Sequence, residues 1–427
     1  MPKKIVYIII LSAMIGSSEV LSWKVLIAGS AWNLSVFRLL LLVLFIFTLI
    51  KDYRTRTEMS FFKNRDLRFS LVFMFIWLAY AVASFLWVKD RAAWVTGVFF
   101  LAIGFISAVL LARYLQSTAD ILQAVYLMAI MLAFHNLVGW YEVFSGNYIF
   151  YSKLFPDRIA EYAARRYPVS SFKNVNDFST LLLLSVWISY ICWQNAGKTW
   201  SRALSIALLL SSACLLVQTG SRANLSGLLL SLFVFIVIKA IEKKRIHIVL
   251  IVVVSLLLLL ILLYPGGLSG LLPQNADALS VSDQARLRLI VNGLHFVSAT
   301  YGFGVGAGNI GYWLANRPKY VTYLTLMHNW WIEILATYGV VIFILYNIFY
   351  WRLFRSMLKK YRHSGKGPEA AIAIAFASFM AGFVIAGISS STHMTNEWLW
   401  VFWGLLIAYQ GVSLESDSAA ATMKEIR

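Results

Sequence analysis

Three short stretches set ionisable residues at the edges of apolar runs. The first, Gln218-Thr-Gly-Ser-Arg222-Ala-Asn-Leu-Ser-Gly227, puts an arginine in a tight turn. Gly220 permits the turn, Ser221 or Asn224 can cap the helix that follows, and a helix N-terminus with a guanidinium beside it is an anion site. The second, Ser282-Asp-Gln-Ala-Arg286-Leu-Arg288-Leu-Ile-Val-Asn-Gly-Leu294, has helical spacing with an apolar stripe at Leu287, Ile290, Val291 and Leu294. At about 100° per residue Arg286 and Arg288 flank that stripe on opposite sides, so one of them faces a buried site. The third, Leu326-Met-His-Asn-Trp-Trp-Ile-Glu-Ile-Leu335, heads an apolar helix with His328 and, five residues on, Glu333. Imidazole can take a proton near neutral pH, which suits a general base. Arginine forks match phosphate oxygens and stay charged near lipid. The combined chemistry is that of a site for an anionic, phosphorylated, lipid-linked substrate, with a base at hand.

Each feature also has a plainer reading. Arg222 can snorkel from a hairpin, residues 282–294 can merely anchor a loop at an interface, and His328 can cap its helix with water as partner. Trp330 and Trp331 are either interfacial belt residues or a stacking surface for sugar rings. Gly302-Phe-Gly304-Val-Gly306-Ala-Gly308-Asn309 offers either amides for a phosphate or a sharp bend back to the membrane. His393, in Ser389-Ser-Ser-Thr-His393-Met-Thr-Asn-Glu397, lies in a polar turn able to border the same cavity. His135, His247, His295 and His363 show no constellation.

The elements that position these residues follow from composition. Of 427 residues, 60% are hydrophobic and 13% charged, a balance that excludes a soluble domain. Apolar runs of roughly 18 residues or more mark membrane spans. The spans fall at about 5–17, 31–50, 69–88, 95–112, 121–143, 178–194, 203–218, 225–241, 247–264, 329–351, 370–388 and 398–412. The run from Ile5 to Ile15 reads as the first span, not a cleaved leader. Cys192 and Cys214 sit in apolar runs and build neither a disulfide framework nor a metal site. No Asp-x-Asp or Asp-Asp pair offers a divalent-metal site, so chemistry without metal or cofactor is expected. The net charge of +18 reflects the positive-inside rule and anionic headgroups, not nucleic acid.

Segments 1–4, 51–68, 113–120, 195–202, 242–246, 352–369 and 413–427 hold 22 of the 37 Lys and Arg residues, which makes them cytoplasmic. The segments between them lie outside, yet carry Arg91, Arg158, Arg165, Arg166, Arg222, Arg286, Arg288 and Arg317. This surplus of outer arginine is the second sign of an anionic substrate. The expected architecture is an all-α polytopic membrane protein: one domain, 1–427, of about twelve spans, with an outer, partly helical loop at 265–327 capping the site.

Thr219-Gly-Ser-Arg222, Arg286-Leu-x-Leu-Ile-x-x-Gly-Leu294, Gly304-Val-Gly-Ala-Gly-Asn309, and His328-Asn-Trp-Trp-Ile-Glu333 with Tyr338-Gly339 occur in this order. As an ordered set they resemble the O-antigen ligase and O-antigen polymerase superfamily of bacterial membrane glycosyltransferases, which are GT-C-like. Phe172-Lys-Asn174-Val-Asn176-Asp-Phe-Ser179 is similar to a pattern of polymerase-type members, including teichuronic-acid polymerase-like proteins, with valine where the family has proline.

The resemblance implies a multi-pass protein of the bacterial cytoplasmic membrane with its active site on the outer face. It implies transfer of an undecaprenyl-diphosphate-linked glycan to an acceptor hydroxyl on a lipid-linked glycan or lipid A–core. A chain-length regulator and a flippase are implied partners beside membrane lipids. Arg222 matches the diphosphate-binding arginine, Arg286 fits the family spacing better than Arg288, and His328 matches the histidine that activates the acceptor. Arg288, Glu333, Arg158, Arg165, Arg166, Asn176 and Trp330 are the expected substrate contacts. Polymerisation is the expected reaction, and ligation the alternative. A lipid-linked-glycan flippase is the reading from a different class.

Overall fold

The computed structural model describes residues 2–15, 22–27, 30–55, 64–150, 156–244, 281–365 and 367–413. Its helices are α1 (Pro2–Ala13), α2 (Val36–Thr55), α3 (Arg65–Ala83), α4 (Arg91–Tyr114), α5 (Thr118–Ser145), α6 (Pro156–Arg165), α7 (Val175–Gln194), α8 (Thr199–Gln218), α9 (Arg222–Glu242), α10 (Val281–Ala299), α11 (Ile310–Asn316), α12 (Trp330–His363), α13 (Pro368–Ala386) and α14 (Glu397–Gly411). A short antiparallel hairpin, β1 (Ser22–Ile27) and β2 (Ser30–Ser35), precedes α2 and pairs Ser22 with Ser35 through Ile27 with Ser30.

Among the described residues eight helices are long and apolar enough to cross a membrane: α3 with the turn that follows it, α4, α5, α7, α8, α9, α12 and α13. The protein is a polytopic α-helical membrane protein. In lipid a backbone must satisfy its own polar groups, and a helix does so within one segment. The remaining expected spans divide three ways. Helices α1 and α14 are short, at 12 and 15 residues. Helix α2 carries Arg38, Lys51, Asp52 and Arg54, and the expected span at 31–50 begins in strand β2, not in a helix. The span at 247–264 lies outside the described residues.

Polar residues start the helices where the chain leaves its loops. Asn64 accepts from two amides of α3, Asp90 from Ala93 of α4, and Ser117 with Asp120 closes a capping box on α5. Asn174 and Asn329 cap α7 and α12 in the same way. The turns bearing Arg222, His328 and His393 meet at one end of the bundle, where Asn224 donates to Ser389 and His328 N–H to the Ser391 carbonyl. Helices α7 and α13 are the most enclosed of the long spans. Helix α13 crosses α9 at Gly227 and Gly382, where a Cβ on either would stand 2.7 or 2.6 Å from the other's carbonyl oxygen. Small residues at such a crossing let two backbones touch in lipid.

Helix α12 breaks at Gly339, with φ 78° and ψ −178°, a region open only to glycine. The freed carbonyls of Ala336 and Thr337 accept from the amides of Val305 and Gly306, and Val340 donates to Gly302. The break is thus paired with the glycine loop 302–308, which supplies these three hydrogen bonds in place of helical ones. Below it Trp77, Trp330, Tyr338, Tyr346 and Trp400 pack edge-to-face in the core.

Candidate active site

Helix α9 begins at Arg222, after a turn through Gly220 at φ 65°. Ser221 stands at the cap position but makes no cap; its hydroxyl goes to Asn176 Oδ1 at 2.8 Å. The first amides of α9 are thereby left without a side-chain cap beside an arginine, the arrangement that favours an anion. Arg222 extends outward, its side chain 78% exposed, and Nη2 meets both oxygens of Asp283 at 2.9 and 3.0 Å. That ion pair joins the start of α9 to the first turn of α10.

Helix α10 turns a different face inward from the one its apolar residues suggest. Leu287 and Leu294 are exposed, whereas Ala285, Leu289, Asn292 and Phe296 are buried. The expected stripe through Leu287 and Leu294 is therefore the outer face. The reason is the close approach to α12: a Cβ on Gly293 would stand 2.4 Å from Ile332 and 2.5 Å from Met327. Asn292 is buried because it exchanges two hydrogen bonds with the backbone of Tyr320, each 2.8 Å. Arg286 and Arg288 still flank the buried face on opposite sides. Arg286 shares its side with Asp283, one turn earlier, and so with Arg222. Arg288 turns to the other side and reaches the Val321 carbonyl at 3.4 Å.

The glycine loop cannot also cradle a phosphate with the same amides. Gly304, Val305, Gly306, Ala307 and Asn309 all donate within the protein, to Thr300, Ala336, Thr337, Ser84 and Gly306. Asn309 in turn accepts from the amides of Lys89 and Asp90 at 3.0 and 2.8 Å. The glycines serve backbone contact: a Cβ on Gly304 would lie 2.5 Å from Gly339 N.

His328 occupies a left-handed conformation, φ 48°, which a non-glycine residue adopts only when its surroundings impose it. The restraint comes from the loop between α13 and α14, where the Ser391 carbonyl accepts from His328 N–H at 3.1 Å and the Gly387 carbonyl from Trp330 N–H at 2.9 Å. Trp330 itself is a core residue. It is 2% exposed, and its indole donates to the Tyr346 hydroxyl at 2.8 Å, so it is neither a belt residue nor an open face for a sugar. Glu333 accepts from Thr392 through Oε1, while its Oε2 is buried with no partner.

Asn176, Asn224 and Ser389 complete the frame. Asn224 is fully buried; it accepts from Thr180 at 3.1 Å and donates to Ser221 and Ser389, each at 3.0 Å. Asp177, next to Asn176, accepts from Ser390. The starts of α7, α9 and α12 are thus tied to one serine-rich loop. The run of hydroxyls Ser389–Thr392 beside an apolar helix was the available sign of this role; Asp283, quoted within the second stretch, carried none.

Arg165 and Arg166 lie on the adjoining loop. Arg165 stacks on Tyr167, whose ring covers Gly220, and the Arg166 carbonyl accepts from Gln218 at 3.2 Å. The loop is pinned by Glu142, which accepts the amides of Val169 and Ser170 at 2.8 Å each, and by His135 against Ser170 at 2.9 Å. The side chain of Arg158 lies outside the described residues. His393 is fully enclosed by Trp330 and Phe383, and burial pushes its imidazole down to about 3, so it stays neutral. Among the described residues no three His, Cys, Asp or Glu side chains gather as metal ligands would.

The O-antigen ligase family profile matches residues 205–347, the stretch that runs from α8 through the Arg222 turn, α10 and the glycine loop to the first half of α12. Over this stretch the chain is similar to the O-antigen ligase family. It is 28% identical over 389 residues to the teichuronic acid biosynthesis protein TuaE of Bacillus subtilis, an alignment that covers 88% of this chain and 78% of that one. The family match spans the residues that the ion pair and the serine-rich loop draw to one end of the bundle.

Proposed function

We propose that the protein is a metal-independent, inverting glycosyltransferase of the bacterial cytoplasmic membrane. It takes an oligosaccharide from undecaprenyl diphosphate at the outer face and adds it to a sugar hydroxyl of a second lipid-linked chain, polymerising a surface polysaccharide. The observation that carries this reading is the convergence of Arg222, through Asp283, with the Arg286 side of α10, and of both with His328 through Asn224, Ser389 and Ser391.

Breaking the sugar–phosphate bond puts charge on the departing diphosphate. Arg222, once the diphosphate displaces Asp283 from it, and Arg286, with the uncapped amides of α9, meet that charge. His328 takes the proton from the attacking hydroxyl on the opposite face of the sugar, which inverts the anomeric carbon. Arg165, Arg166 and Asn176 border the Arg222 turn and serve the glycan and the turn's support. An apolar groove of about 580 Å³ runs from Trp331 along α9, α12 and α13, past Leu230, Val234, Phe343 and Val384. It suits the isoprenoid chain of the donor.

The O-antigen ligase match favours a second reading, a single transfer onto lipid A–core or another surface acceptor. Reconstitution with a defined undecaprenyl-diphosphate-linked repeat unit separates the two. A product ladder from one substrate supports polymerisation, and one addition to an added acceptor supports ligation. Transfer is expected to persist in EDTA, and its complete loss there would overturn the metal-independent reading. Movement of intact substrate across vesicles with no new glycosidic bond rejects both.

A further inference from the structure

The loop 387–396 touches the starts of α7, α9 and α12, yet none of its side chains takes part in the chemistry above. Ser389 accepts from Asn224 on the helix of Arg222, and Ser390 donates to Asp177. Thr392 donates to Glu333 Oε1 and accepts the Met394 amide at 3.1 Å. Glu333 lies in the first turns of α12, five residues beyond His328, where the helix N-terminus favours a carboxylate. One of its oxygens is fixed by Thr392. The other, Oε2, is buried without any hydrogen bond. A carboxylate oxygen left unpaired in a buried place is costly and rare, and such a group marks a place for a donor to fill. Sugars carry adjacent hydroxyls, so a ligand whose one hydroxyl meets His328 has others to offer within the same ring.

We propose that Thr392 is a positioning residue for the acceptor: its hydroxyl holds Glu333 so that Oε2 accepts a hydrogen bond from an acceptor-sugar hydroxyl neighbouring the one that attacks. The inference rests on the transferase reading. No bond to Glu333 forms or breaks; the proton of the attacking hydroxyl goes to His328, and the electron pair of the broken bond leaves with the diphosphate. Thr392 touches no substrate.

The test uses the full-length protein in proteoliposomes, with donor and acceptor varied separately. Thr392→Val and Glu333→Gln are each expected to raise the acceptor KM roughly tenfold, as for a lost hydrogen bond to a charged group. The donor KM is expected to stay unchanged. Thr392→Ser is expected to remain within about twofold of the parent, and the double variant to be no worse than Glu333→Gln alone, because both act through one contact. Should Thr392→Val fold poorly, Glu333→Gln and Thr392→Ser carry the same comparison. Parent-like acceptor KM in Glu333→Gln, multiplied losses in the double variant, or equal rises in both KM values overturn the proposal. A parent protein that binds the lipid diphosphate but forms no glycosidic bond overturns the transferase reading, and this inference with it. A parent protein that transfers while Thr392→Val is unchanged removes only the role of Thr392.

Discussion

The contact between Arg222 and Asp283 does two things that Asp283→Asn separates. It joins α9 to α10, and it supplies Arg222 with a carboxylate where the proposed function places a diphosphate. The side chains are 78% and 28% exposed, so the pair belongs with solvent-screened ion pairs, worth about 0.2–1 kcal/mol. Asp283→Asn should therefore cost at most about 1 kcal/mol of stability. A donor diphosphate has to displace the same carboxylate. Removing that competition should lower the donor KM by up to about fivefold, since about 1.4 kcal/mol corresponds to tenfold. The gain should shrink as salt rises, because exposed charges are screened over about 10 Å at 0.1 M salt. The assay is initial-rate glycosyl transfer in proteoliposomes at low and high salt, with thermal unfolding alongside. A rise in donor KM, or a loss of turnover like that of Arg222→Ala, would refute the reasoning and make Asp283 part of the binding site.

Alanine at Arg222, Arg286 or His328 should abolish polymer formation while the protein still elutes as a folded species; full activity in His328→Ala removes the base assignment. Gly339→Ala should greatly lower the yield of folded protein, because φ 78° with ψ −178° costs a side chain about 1–3 kcal/mol before its Cβ meets Gly302 O at 2.2 Å. Glu397→Ala should destabilise by about 3–5 kcal/mol by leaving Arg38 buried and unpaired; Arg38→Met with Glu397→Leu should lose much less in thermal unfolding. His393 is held at about 3 in the folded protein against 6.5 when free. Below pH 6.5 the unfolded chain binds a proton that the folded one does not, so stability should fall by about 1.4 kcal/mol per pH unit. His393→Gln should flatten that slope.

The class of the protein was legible in its residues alone, because long apolar runs can only be membrane helices, and an arginine, a second arginine and a histidine at their ends stand out against that background. The sequence also placed Arg222 and His328 at helix starts, since local residues, Gly220 and Asn329, make those ends. What it left open depended on partners distant along the chain. The apolar residues of α10 point outward because Gly293 lets the opposite face press on α12, a contact written in neither segment alone. The glycine loop looked able to hold phosphate until the carbonyls of Ala336 and Thr337, beside the break at Gly339, and the hydroxyls of Thr300 and Ser84 took its amides. Trp330 looked interfacial until four other aromatic rings enclosed it. The tie from Asn224 through Ser389 and Ser391 to His328 exists only when the helices are packed. Hydrogen bonds between residues so far apart along the chain leave no periodic trace, so packing alone settles them.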